Sequence, residues 1–131
     1  MNQVRNQLKS MISVESCEGG FTATLRVDPA FVLFPDHFPS NPILPGICLI
    51  QSVLLAGAIC QGVLDLRLCT LKNAKFTAPV LPGDLVLIDA QVSRHDDDLL
   101  LIKASLRCVG KRVAQLLLVA RVDGPNTKDP N

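Results

Sequence analysis

The chain has 131 residues, 13 basic against 12 acidic for a formal net charge of +1, with 48% hydrophobic and only 19% charged residues. That length holds one folding unit with a tail at 124–131, and the apolar content excludes intrinsic disorder. The balanced charge, the absence of Trp and Tyr and the presence of only five Phe remove the basic stripe and the stacking platform that nucleic acids need.

Residues 1–11 lack the apolar core of a signal peptide and are read as an N-terminal segment. The five cysteines (17, 48, 60, 69, 108) are odd in number and contain no CxxC pair, which predicts reduced thiols and a cytoplasmic protein. His37 and His95 are far apart with no Cys at ligand spacing, so no metal site is expected. A weak strand over 12–17 leads through Glu18-Gly19-Gly20 into a clearer one over 21–27, where Phe21, Ala23, Leu25 and Val27 alternate with Thr22, Thr24 and Arg26.

A proline-rich loop then precedes the most apolar stretch, 46–64, nineteen residues without a charge. Its length is near the minimum for a membrane span. Gln51, Ser52 and Gln61 interrupt it and Ala56-Gly57-Ala58 fill its middle, so a helix buried on every side, with no membrane contact, is the better reading. Further strands are predicted over 70–77, 85–94, 99–109 and 112–122, the last pair joined at Gly110-Lys111. Short turns between consecutive strands predict an antiparallel meander wrapped around the single long helix, an α+β architecture. The apolar excess exceeds what a small monomer readily hides, which predicts a second copy as cover.

The chemistry is expected in 36–51. Three prolines stiffen this loop, and Pro45-Gly46 opens the helix with the Gly46 and Ile47 N–H groups free to favour an oxygen that gains negative charge. Gln51 is predicted to lean back toward Ile47 and the same mouth. Each feature has a plain alternative: His37 as a surface residue, Gln51 bonding a carbonyl across an interface, Pro45-Gly46 as an ordinary helix start.

The words His37-Phe38-Pro39-x-x-Pro42-Ile43-Leu44-Pro45-Gly46 and Lys75-Phe76-x-x-Pro79-Val80-x-Pro82-Gly83-Asp84 resemble the 3-hydroxyacyl-[acyl-carrier-protein] dehydratases of the FabZ/FabA type over about residues 21–122. The resemblance implies the hot-dog fold, a curled antiparallel sheet around one helix, paired as a homodimer or assembled as a trimer of dimers. It implies that His37 takes the C2 proton of an acyl thioester and that the Gly46 N–H holds the thioester carbonyl. Phe38, Pro45, Ile47 and Phe76 would then border the substrate. Acyl carrier protein or coenzyme A would deliver the substrate through phosphopantetheine, with no other cofactor. Lys72, Lys75 or Arg94 would meet an acidic carrier, or else are ordinary solvated charges. The family's helix acid, contributed by the other protomer, is replaced here by Gln51, and its usual N-terminal helix is missing.

Three functions follow. A dehydratase would use His37 for both proton transfers with Gln51 positioning the hydroxyl. A thioesterase would use Gln51 to orient water. A non-catalytic subunit would bind an acyl group or pair with a complete homologue.

Overall fold

The computed structural model describes residues 2–36 and 42–123. His37, Phe38 and the tail from Gly124 lie outside the described residues. The elements are α1 (Asn2–Ser10), β1 (Ile12–Cys17), β2 (Gly20–Arg26), a 3-10 turn (Phe34–Asp36), α2 (Gly46–Gln61), β3 (Asp65–Phe76), β4 (Leu85–Arg94), β5 (Leu99–Cys108) and β6 (Lys111–Asp123).

All six strands form one antiparallel sheet in the order β1-β2-β4-β5-β6-β3. β4, β5 and β6 are the expected meander, but β3 is not beside β4. It sits at the far edge against β6. Helix α2 lies between β2 and β3 in the chain, and an apolar helix is covered only if the strands it joins stand well apart on the sheet. β4 then returns to the middle, where the Val27 N–H bonds Asp84 O at 2.9 Å and the Gly83 N–H bonds Val27 O at 2.7 Å.

Helix α2 is buried at every position from Cys48 to Ala58 except Gln51. Phe21, Leu25, Ile88, Ile102, Leu106 and Leu118 face it from four strands and are almost inaccessible, each contributing roughly 1.5–3 kcal/mol by its burial. The approach is close enough that a Cβ on Gly57 would stand 2.8 Å from Leu66 Cδ1. The helix ends three residues sooner than its apolar run, because Gly62 takes the left-handed conformation (φ 69°) and caps it with its N–H on the carbonyls of Ala58 and Ile59. β3 can therefore begin at Asp65 rather than at residue 70. Among the described residues, no helix is long and apolar enough to cross a membrane.

The N-terminal segment, expected to lack a helix, holds one, α1. In α1 only Val4 and Leu8 form an apolar i, i+4 pair, too narrow a stripe to stand out among Asn, Gln, Arg and Lys. Tertiary contacts supply the rest. Leu8 is fully buried, Gln7 Oε1 accepts the Val32 N–H at 2.7 Å, and Arg5 pairs with Asp65 at 3.2 Å.

The β5–β6 turn is Val109-Gly110, one residue earlier than expected, since Cys108 pairs with Lys111. Both turn residues have positive φ, 51° and 73°, and Val109 is 99% exposed. Two-residue hairpins of this hand favour Asn-Gly, and a β-branched residue there carries strain of about 1–3 kcal/mol. Val109→Asn should raise stability by about 1 kcal/mol and the melting temperature by about 3–5 °C in a thermal scan. An unchanged or lower melting temperature would show that the valine is not strained.

Candidate functional site

The start of α2 is fixed from outside the helix. Leu44 is buried and donates its N–H to Val80 O at 2.8 Å, which ties the entering loop to the segment after β3. Pro45 is the N-cap, with φ −60° and ψ 145°, and among the described residues no side chain caps the helix. The Cys48 N–H turns back to Pro45 O at 2.9 Å, while among the described residues the N–H groups of Gly46 and Ile47 have no partner. Two unpaired donors at the positive end of the helix form a ready-made site for a partly negative oxygen.

A cavity of about 330 Å³ opens at this point. Ile43, Leu44, Gly46 and Leu49 form one wall, and the run from Phe76 to Val80 forms the other. Phe76 is 46% exposed, and its ring lies against Gly46 so closely that a Cβ there would stand 2.9 Å from Phe76 Cζ. Thr77 is held by its N–H on Val113 O and its hydroxyl on Arg112 O, both at 2.9 Å. An apolar slot with backbone donors at one corner suits a chain that ends in a carbonyl.

Gly46 and Phe76 are thus brought together, whereas Pro45 and Ile47 are not among the residues lining the cavity, and neither is Gln51. At 3.6 residues per turn it lies about 140° around the helix from Gly46 and about 160° from Leu49. Its expected position in the same mouth does not hold within one chain. Gln51 instead shares a helix face with Ile47, which is 62% exposed, and among the described residues its amide has no hydrogen-bond partner. Sequence reasoning also passed over Leu49 and Thr77 as lining residues. The first follows Gly46 by three helical positions and the second follows Phe76, so both were within reach of the motif words.

Among the described residues, no group of three His, Cys, Asp or Glu stands close enough to hold a metal ion. The Cys48 thiol, just inside the helix start, is pushed up to about 11 by burial, and the Cys108 thiol is pushed up by burial and then by the Asp84 carboxylate. Neither is a nucleophile at neutral pH.

A family model described as ApeI-like, ApeI dehydratase, matches residues 13–111. The chain belongs to the ApeI-like dehydratase family. Among curated relatives, the FabZ 3-hydroxyacyl-[acyl-carrier-protein] dehydratase of Bartonella bacilliformis is 34% identical over 96 residues, 68% of this chain and 62% of that protein. The one from a Wolbachia of Drosophila simulans is 40% identical over 67 residues, 45% of this chain and 46% of that protein. The chain therefore spans roughly half to three fifths of the curated relatives it matches. Among solved structures, the ApeI:P dehydratase heterocomplex of Xenorhabdus doucetiae superposes with a TM-score of 0.71 at 15% identity, covering 85% of this chain and 80% of that one. PaaI of E. coli gives 0.64 at 17% identity, covering 92% and 88%. A hypothetical thioesterase of Streptococcus pneumoniae, solved with coenzyme A, gives 0.66 at 12% identity, covering 90% of each chain. At these identities the likeness is one of fold, the hot-dog arrangement.

The thiol shifts give a direct check. Iodoacetamide at pH 8 should modify the exposed Cys17 and Cys69 in the native protein and reach Cys48 and Cys108 only after unfolding, as read by peptide mass spectrometry. Because folding raises these two pKa values above the ordinary thiol value of 9.0, stability should be unaffected by them below pH 9 and fall as pH rises from there toward 11. Rapid native labelling of Cys48 would contradict the packing at the helix start.

Proposed function

We propose that the chain is a dehydratase of 3-hydroxyacyl thioesters whose site is completed by a second copy of itself. The observation that carries the reading is the uncapped start of α2: Gly46, whose N–H is without a partner among the described residues, lines an apolar slot walled by Phe76 and Val80. A thioester carbonyl there would accept that N–H, and the charge growing on its oxygen as the C2 proton leaves would meet the positive helix end. His37, from the motif that opens the loop, takes that proton as a neutral imidazole and returns it to the C3 hydroxyl, which departs as water to leave the trans-2-enoyl thioester.

Gln51 enters from the other protomer. It lies on the face of α2 turned away from its own cavity, beside the exposed Ile47. Among the described residues β3 has a neighbour on one side only, and Leu71, 42% exposed, and Phe76 are uncovered along it. Joining two β3 edges covers this surface and brings the Gln51 face of one copy toward the Gly46 mouth of the other. An amide has no acidic proton to give, so Gln51 positions the leaving hydroxyl and His37 does both transfers. The same amide favours a second reading, hydrolysis of the thioester with Gln51 orienting a water. The third, a non-catalytic subunit of a mixed dimer, remains an outcome of the test.

Purified protein incubated with 3-hydroxyacyl and trans-2-enoyl thioesters should interconvert them, with the enoyl absorbance lost by about 10²–10⁴ in His37→Ala. Gln51→Glu, which supplies the missing acid, should raise the rate. Gly46→Ala should move the Phe76 ring and crowd the carbonyl site, lowering turnover by at least about tenfold while shifting stability by under about 1 kcal/mol. Release of free thiol without enoyl product would instead identify a thioesterase. No product except in the presence of a homologous subunit would identify a partner protein.

A further inference from the structure

Residues 27–36 belong to no strand among the described residues, yet they lead from β2 to Asp36, one residue before His37. Backbone N–H groups outside a ladder need partners from elsewhere. Here α1 and the residue after it supply them. The Arg26 N–H is bonded to Met11 O at 3.0 Å, the Asp28 N–H to Met11 Sδ at 3.2 Å and the Val32 N–H to Gln7 Oε1 at 2.7 Å. Further along, the Phe31 N–H returns to Asp28 O and the Phe34 N–H to Phe31 O, and the buried rings of Phe31 and Phe34 meet edge to face at 5.6 Å.

This clamp is tied to the rest of the fold. A helix of nine residues cannot stand alone, since isolated helices shorter than about 12–15 residues are marginal in water. Leu8 is fully buried, α1 packs on α2, and Arg5 reaches Asp65, the first residue of β3. Those two elements, α2 and β3, carry Gly46 and Phe76 at their ends. The approach to His37 is therefore held by the same frame that holds the walls of the slot. Of the three contacts, the one between Gln7 and Val32 is nearest to His37 in sequence and is the one made by a side chain of α1 itself. Gln7 is half-buried, and fixing its long amide side chain in one geometry has an entropic cost that a solvated glutamine does not bear.

We propose that Gln7 is a positioning residue for the reaction: by accepting the Val32 N–H it holds the segment that leads into His37, and so fixes the base against the Gly46 mouth. A base must come within hydrogen-bond reach of the proton it takes, and a displacement of about 1 Å can cost about 10²-fold in rate. Substrate binding is set by the slot at Gly46 and Phe76, which Gln7 does not line. Loss of the Gln7 bond therefore falls on kcat and leaves KM. The proposal rests on His37 being the base of a thioester dehydratase.

Two variants of the full chain separate the acceptor from the bulk of the side chain. Gln7→Leu removes the acceptor and keeps a good helix former, whereas Gln7→Glu keeps an acceptor oxygen at the same reach. Hydrogen exchange over 28–36, read by peptide mass spectrometry, should quicken by about fivefold at the Val32 amide in Gln7→Leu and stay near the wild-type rate in Gln7→Glu. For a 3-hydroxyacyl thioester, kcat should fall by about tenfold in Gln7→Leu with KM within about twofold, and Gln7→Glu should recover most of the loss. Lys9→Gln, exposed on the same helix, should alter neither readout. Unchanged exchange in Gln7→Leu, quicker exchange without loss of kcat, a loss carried by KM, or a loss that Gln7→Glu does not recover would overturn the proposal. Exchange that quickens in Gln7→Leu and recovers in Gln7→Glu, in a protein that turns over no thioester, would leave the clamp standing and overturn the dehydratase reading.

Discussion

The structure depends on one helix that must be covered on nearly all sides yet left open at its first turn. Because α2 is apolar around its circumference, a sheet that merely lay against it would leave half of it wet. The sheet therefore curls, α1 lays Leu8 and Val4 over the remaining side, and β3 is carried to the far edge beside β6. The open first turn follows from the same sequence: Pro45 can neither cap with a side chain nor donate an N–H, and Gly46 adds no Cβ to close the space beside Phe76. Burial of the helix and availability of its terminal donors are two results of one stretch of chain.

How much of this could be read beforehand varied with how local the cause was. β1 and β4 end where alternation and turn residues put them, because the pattern of each strand carries its own limits. Helix α1 was illegible because its formation rests on partners distant in sequence, the Val32 amide and Asp65. The place of β3 was illegible for a similar reason: turn length favours neighbours in sequence, whereas this strand goes where the helix needs cover. At the site, the motif words named Gly46 and Phe76 but not the contact between ring and glycine. The side of the helix that Gln51 occupies emerged only once both walls of the cavity were in place.

That placement of Gln51 gives the substitution a physical sense. Gln51 is only half-buried, so water meets its amide in one protomer, and a group that covers this face must offer it a partner. A second copy that also covers Ile47, Leu71 and Phe76 would do so, and the mouth of each protomer would gain a polar group that its own chain does not supply. The apolar excess of the composition then belongs to two places, the wrapped helix and the seam between copies.

The central claim is that the Gly46 N–H, unpaired among the described residues, holds a thioester carbonyl. A crystal structure with a non-hydrolysable enoyl-pantetheine amide tests it most directly. The account predicts the amide oxygen about 2.7–3.1 Å from the Gly46 nitrogen, the acyl chain along Phe76 and Val80, and Gln51 of a second protomer facing C3. An analogue bound elsewhere, or a carbonyl turned away from the start of α2, would contradict it.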